Sequence, residues 1–151
     1  EKLFGLIKGM KPDIVIGDFG RYFLGNGSPI EYALYYGGGI ISAVGAYLAG
    51  QKRVYSIVGD GGFTQGALGL VEAVRKNSDI NIVVIDNGGI SGKEPLNINL
   101  ESLASGVGIP YVKRINEKEL SSSVFEEMED YKLPKFLIFN YSYHNINQNV
   151  T

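Results

Sequence analysis

The stretch "IVGDGGFTQGALGLVEAVRKN", residues 57–77, decides how this chain is read. An apolar, β-branched run passes through Gly59, Asp60, Gly61 and Gly62 into an amphipathic segment. A short apolar run bounded by glycine predicts a buried strand. In residues 64–77, Ala67, Leu70, Val71 and Val74 recur at helical spacing, which predicts a helix with those four on its inner face.

Working outward, the same alternation recurs. "DIVIGD" (13–18), "VYSIVGD" (54–60), "INIVVIDN" (80–87) and "KFLIFNYS" (135–142) read as buried strands, with a weaker fifth at 111–115. Helices are predicted at 39–49, where small residues permit close backbone approach, and at 100–107 and 117–131. Strands alternating with helices predict an α/β fold, three layers α/β/α around a mostly parallel sheet. At 151 residues the chain is expected to form one domain, 1–151, with a polar tail at 143–151 that frays.

Composition narrows the function. Hydrophobic residues make up 44% and charged residues 20%, the balance of a globular domain. A net charge of −2 supplies no broad positive field, so nucleic acid and anionic membrane are not expected partners. With no spanning apolar stretch or signal peptide evident, a cytoplasmic location is expected. There is no cysteine, which excludes disulfides, thiolate metal sites and iron–sulfur clusters held by these residues. The start at Glu1 suits a processed chain or a piece of a longer one.

Parallel sheets bind ligands at the carboxyl ends of their strands. After the second strong strand, Gly59, Gly61 and Gly62 would let backbone N–H groups approach an anion at a helix start, the outline of a diphosphate site. Asp60 would repel that anion unless a divalent cation lay between them. Mg²⁺ takes oxygen ligands, commonly one or two carboxylates completed by carbonyls, water and phosphate, so Asp60 becomes a candidate ligand. Asn87 ends the next strand 27 residues later, followed by Gly88 and Gly89, whose backbone can turn and present a carbonyl. Alone, Asn87 reads as a turn residue; paired with Asp60 at adjacent strand tips it reads as a second ligand. A dinucleotide fingerprint is disfavoured, because the position of its third glycine holds Thr64.

GDG followed about 27 residues later by a strand-ending Asn resembles the diphosphate-binding motif of thiamine diphosphate enzymes. "IGDFGRYFLG" (16–25), "YYGGGIISAVGAYLAG" (35–50) and "ISGKEPLN" (90–97) most resemble the corresponding domain of indolepyruvate ferredoxin oxidoreductase and related 2-oxoacid oxidoreductases. The resemblance spans roughly residues 12–140 and implies a thiamine diphosphate-binding fold. It also implies thiamine diphosphate and Mg²⁺ as cofactors, with Asp60, the Asn87 side chain and the Gly89 carbonyl on the metal. Gly59, Gly61 and Gly62 would contact the diphosphate, Gly17, Asp18, Gly20 and Tyr22 would lie near the cofactor rings, and Ile90, Ser91 and Gly92 would close over the phosphates. The cofactor would add through its C2 carbon to the carbonyl of a 2-oxoacid and act as an electron sink.

Departures from the pattern shape the expectation further. The family's activating glutamate belongs to a separate pyrimidine-binding domain, so a partner domain or subunit is expected to complete the site within an oligomer. Without cysteine, electrons would pass to a separate iron–sulfur subunit. A non-oxidative 2-oxoacid decarboxylase subunit, or a non-catalytic assembly or regulatory module, remain alternatives. Arg21 is unexpected in its loop; it could bind a carboxylate or diphosphate, or simply be solvated. Asp18 reads equally as an Asx-turn residue and Asp86 as a loop hydrogen-bond partner. Tyr32, Tyr35 and Tyr36 could line a pocket, with core or interface packing the default reading, and His144 suits a surface position.

Overall fold

In a computed structural model, residues 1–89 and 95–141 are described. Six strands form one sheet: β1 (Ile14–Gly17), β2 (Tyr32–Ala33), β3 (Val54–Gly59), β4 (Ile80–Asp86), β5 (Tyr111–Ile115) and β6 (Lys135–Asn140). Their order is β2-β1-β3-β4-β6-β5, and every pairing is parallel. The helices are α1 (Lys2–Gly9), α2 (Arg21–Leu24), α3 (Gly39–Leu48), α4 (Asp60–Gly66), α5 (Leu68–Arg75), α6 (Leu100–Gly106) and α7 (Ser122–Glu129). Among the described residues no helix is long and apolar enough to cross a membrane.

The strand runs are apolar on both faces because both faces are covered. One core joins Tyr55, Ile57, Val83, Ile85 and Leu137 to Leu3 and Ile7 of α1 and Phe125 and Met128 of α7. The other joins Val58, Ile82, Val84 and Phe136 to α3, α5 and α6 through Ile40, Ala43, Leu70 and Ala104. The α/β/α layering expected from the sequence is thus present. Close approach of α3 depends on glycine: a Cβ on Gly39 would lie 2.7 Å from Val58 Cγ1.

Several predicted bounds are corrected. The helix expected at 64–77 begins at Asp60 and is divided at Ala67. An acidic residue suits a first helical turn, and Gly62 packs closely against Asp18. The inner face also differs: Gly69, Leu70 and Ala73 are buried, whereas Val71 is 43% exposed. The helix expected from 117 starts at Ser122, because the Asn116 side chain accepts the N–H groups of Lys118 and Glu119 and holds a turn. α1, α2 and the two-residue edge strand β2 were not predicted. The polar tail lies outside the described residues.

Chain order sets the site's location. From β1 the chain moves to β2 on one side and then to β3 on the other, so the switch point lies between β1 and β3. A crevice at their carboxyl ends follows.

Candidate functional site

Three strand tips converge on that crevice. Asp18 follows β1, Asp60 follows β3 and Asn87 follows β4; with Gly20, Tyr22 and Tyr36 they bound a cavity of about 130 Å³. Gly59, Gly61, Gly62, Arg21 and Ile57 also contribute to its wall.

Asp60 is 3% exposed. Its Oδ1 accepts the Gly61 N–H at 2.8 Å and its Oδ2 the Gly89 N–H at 2.7 Å. Burial pushes its pKa up, opposed by those two amides and reinforced by the Asp86 charge. Such a group is primed to gain from a cation, which would favour its ionised form.

Asn87 donates through Nδ2 to the Tyr22 hydroxyl at 3.3 Å, and its buried Oδ1 has no partner among the described residues. Leaving a buried acceptor unpaired costs about 1–3 kcal/mol. A cation drawn to that oxygen would remove the penalty.

Asp18 caps the start of α3, accepting the Gly39 N–H on Oδ1 at 2.8 Å, while its buried Oδ2 has no partner among the described residues. It therefore reaches across to another element rather than closing an Asx turn. Burial pushes its pKa up, with the Gly39 and Gly37 amides opposing. A Cβ on Gly62 would lie 1.8 Å from Asp18 Oδ2, so this close approach requires glycine. Burial, then the charges of Asp18 and Asp60, raise the pKa of the Tyr36 hydroxyl.

Two carboxylates line the cavity, and Arg21 is the one cationic side chain among the described residues doing so. A diphosphate entering alone would meet repulsion from both. A carboxylate and an orphaned amide oxygen form an oxygen donor set of the kind Mg²⁺ accepts, with positions left for water and phosphate. Among the described residues no cluster of three His, Asp or Glu side chains could hold a metal, so such a set would depend on amide, carbonyl and phosphate oxygens.

The structure gathers Asp18, Gly20, Tyr22, Gly59, Asp60, Gly61, Gly62 and Asn87 around one cavity. Gly17 stays out of its lining; it completes β1, where a Cβ would lie 2.6 Å from Ile30 Cδ1 and 2.7 Å from the Ile57 carbonyl oxygen. Gly89 meets Asp60 through its N–H rather than its carbonyl; its φ of 126° and that of 90° at Gly88 give the sharp turn expected after β4. Ile90, Ser91 and Gly92 lie outside the described residues, as does His144. Asp86 accepts the Gly88 N–H and pairs with Arg114 at 2.6 Å, the hydrogen-bonding role expected of it.

Of Tyr32, Tyr35 and Tyr36, for which pocket lining was the alternative to core or interface packing, Tyr36 lines the cavity. All three are at least half exposed. Their place just before the glycines that open α3 was the available signal.

A family model described as the C-terminal TPP-binding domain of thiamine pyrophosphate enzymes matches residues 21–91. The solved neighbours share the fold of this chain. Among individual proteins, the chain is 42% identical over 79 residues to 3D-(3,5/4)-trihydroxycyclohexane-1,2-dione hydrolase of Shouchella clausii strain KSM-K16, an overlap of 48% of this chain and 12% of that one. A structure described as a thiamin diphosphate-dependent enzyme from Mycobacterium smegmatis superposes with a TM-score of 0.73 at 20% identity, covering 93% of this chain and 31% of that one. Benzoylformate decarboxylase from Polynucleobacter necessarius gives 0.70 at 14%, covering 93% and 32%. The chain thus spans about a third of each solved neighbour.

Proposed function

We propose that this chain supplies the diphosphate- and Mg²⁺-binding half of a composite thiamine diphosphate site in a 2-oxoacid oxidoreductase of the indolepyruvate ferredoxin oxidoreductase type. One observation carries the metal-dependent reading: the Asp60 carboxylate and the orphaned Asn87 oxygen face one cavity from adjacent strand tips. The oxidoreductase assignment rests on the resemblance of residues 16–25, 35–50 and 90–97.

When bound, thiamine diphosphate supplies an electron sink for the carbonyl carbon of a 2-oxoacid. The chain's own residues would hold and orient it. Asp60 and Asn87 would carry the cation, with the backbone after Asn87 as a further oxygen source, and Gly61 and Gly62 would admit phosphate oxygens close to the chain. Tyr22 would hold the Asn87 amide so that its oxygen points to the metal. Asp18, seated on the start of α3, would fix the distance between α3 and α4.

A pyrimidine-binding domain or subunit would complete the site. Phe19, Leu24, Tyr32, Leu34, Tyr35 and Tyr36 are each at least half exposed, in the same segment that carries Gly20, Arg21 and Tyr22. An apolar rim of this kind beside a cleft suits a protein partner. With no cysteine in these residues, an iron–sulfur partner would carry electrons away. The same observation favours a second reading, a non-oxidative 2-oxoacid decarboxylase component, which needs no electron carrier.

Calorimetry with thiamine diphosphate in Mg²⁺ and in excess chelator tests the proposal. Binding should require Mg²⁺ and vanish in Asp60→Ala. Binding indifferent to both, or no binding with a pyrimidine-domain partner present, overturns it. Reduction of a ferredoxin during 2-oxoacid turnover in the reconstituted complex separates the oxidative reading from the decarboxylase.

A further inference from the structure

Arg114 lies on β5, the strand at the edge of the sheet, and does not line the cofactor cavity. A charge on an edge strand ordinarily serves to keep other strands away, and its neighbour Lys113 suits that use, pairing with Glu127. Arg114 is placed differently. Its Nε and Nη2 meet the two carboxylate oxygens of Glu101, in the first turn of α6, at 2.5 and 2.9 Å. Its Nη1 meets Asp86 Oδ2 at 2.6 Å and Asn140 Oδ1 at 3.3 Å. One guanidinium thus joins α6 to the carboxyl tips of β4 and β6.

The connection runs on from Asp86 to the cofactor cavity. The other carboxylate oxygen of Asp86 accepts the Gly88 N–H at 3.1 Å, and its carbonyl accepts the Tyr141 N–H at 2.8 Å. Asn87 lies between Asp86 and Gly88, so the closed turn fixes the backbone that carries its side chain. One residue further, the buried Gly89 N–H donates to Asp60 Oδ2 at 2.7 Å. This segment lies beyond the end of β4 at Asp86. Two successive glycines give its backbone wide conformational freedom, so its shape depends on the anchor at Asp86.

Resting on the cofactor assignment above, we propose that Arg114 is a positioning residue for the cation site: its fork holds Asp86, and Asp86 holds the 87–89 turn that presents the Asn87 side chain to the cavity and the Gly89 amide to Asp60. The role calls for arginine. Lysine would keep the charge but offers a single nitrogen, without the planar fork that here reaches Glu101, Asp86 and Asn140 at once.

Hydrogen exchange and calorimetry on the whole chain test this. In the cofactor-free protein, Arg114→Gln should speed exchange of the Gly89 amide by at least about tenfold, while amides of the β3–β4 ladder keep their rates. The Mg²⁺ concentration giving half-maximal thiamine diphosphate binding should rise about tenfold, the scale of loss when an outer partner of a metal ligand is removed. Arg114→Lys should follow Arg114→Gln. Lys113→Gln, which removes the same charge from the neighbouring position, should change neither readout. Unchanged Gly89 exchange, acceleration shared equally by the β3–β4 ladder, an unchanged Mg²⁺ requirement, or unaltered behaviour of Arg114→Lys overturns the proposal. The two readings fail separately: absence of Mg²⁺-dependent binding in the unaltered chain removes the cofactor assignment and this inference with it, whereas Mg²⁺-dependent binding that Arg114→Gln leaves intact removes only this inference.

Discussion

The two ends of the sheet carry similar residues in opposite states. At the amino ends of the strands, Asp13 accepts the backbone N–H groups of Lys52 and Arg53, and buried Lys135 pairs with Asp79 and donates to the Tyr131 carbonyl. Glu129 accepts the Tyr55 hydroxyl and pairs with Arg53. Asn81 Oδ1, Ser78 Oγ and the Tyr111 hydroxyl are buried there without partners among the described residues, Asn81 and Tyr111 both standing opposite the cationic Lys135 in register. At the carboxyl ends, Asp18 and Asn87 each hold a buried oxygen without a partner in a cavity already lined by Asp60. Backbone amides hold Asp13 below the usual carboxylate range, whereas burial pushes Asp18 and Asp60 above it. At one end the carboxylates are held by amides and cations of the chain itself; at the other two of them share one cavity, and burial outweighs the amides they accept.

The largest expected break in this contrast is Asp60→Ala, which should weaken Mg²⁺-dependent thiamine diphosphate binding by at least about a hundredfold in calorimetry. Fold stability should change little by comparison. Asp79→Ala should do the reverse, destabilising the chain by about 2 kcal/mol in urea unfolding, because the buried Lys135 ammonium loses its partner. Cofactor affinity should not move.

Asn87→Ala sharpens the contrast within the site. Cofactor binding should weaken about tenfold, while stability in the absence of Mg²⁺ should hold or rise slightly, since an unpaired buried oxygen is removed. A clear loss of stability would show that Asn87 serves the fold.

The smallest effect is in pH dependence. Asp18 and Asp60 have folded pKa values raised above the ordinary 3.8, so the folded chain holds more protons than the unfolded one from about that pH upward to the raised values. Without Mg²⁺, stability should decline as pH rises through that window, and Asp18→Asn should flatten the decline. Asp13 has the opposite sign. Its contribution is present above 3.8 and lost as pH falls through its lowered folded value. Asp13→Asn should therefore alter only the more acidic limb, read from thermal melts across the acid range.

Much of this contrast was legible in the sequence because the central strands are buried on both faces, which leaves apolar runs as a direct trace. The fifth strand was placed at residues 111–115, as observed, and Asp60 and Asn87 were singled out at the correct tips. The edge strand Tyr32–Ala33 has no such trace: two residues pair with β1, and Tyr32 is exposed. The start of α4 was read too late, because glycine at two successive positions argues against helix unless packing holds it there. At Gly62 that packing comes from Asp18, more than forty residues away, and local pattern could not report it. For the same reason the sequence could assign a role to Asp18 near the cofactor but not its seat on α3.

β3 and β4 remain in register over six residue pairs, from Val54 opposite Ile80 to Gly59 opposite Ile85. The ladder works as a ruler: it fixes the gap between carboxylate and amide oxygen before any loop is considered. Sliding one strand by a single residue would turn its side chains to the opposite face. Loops beyond the strand tips can therefore diverge to suit new substrates while the spacing of the two oxygens is inherited from the backbone.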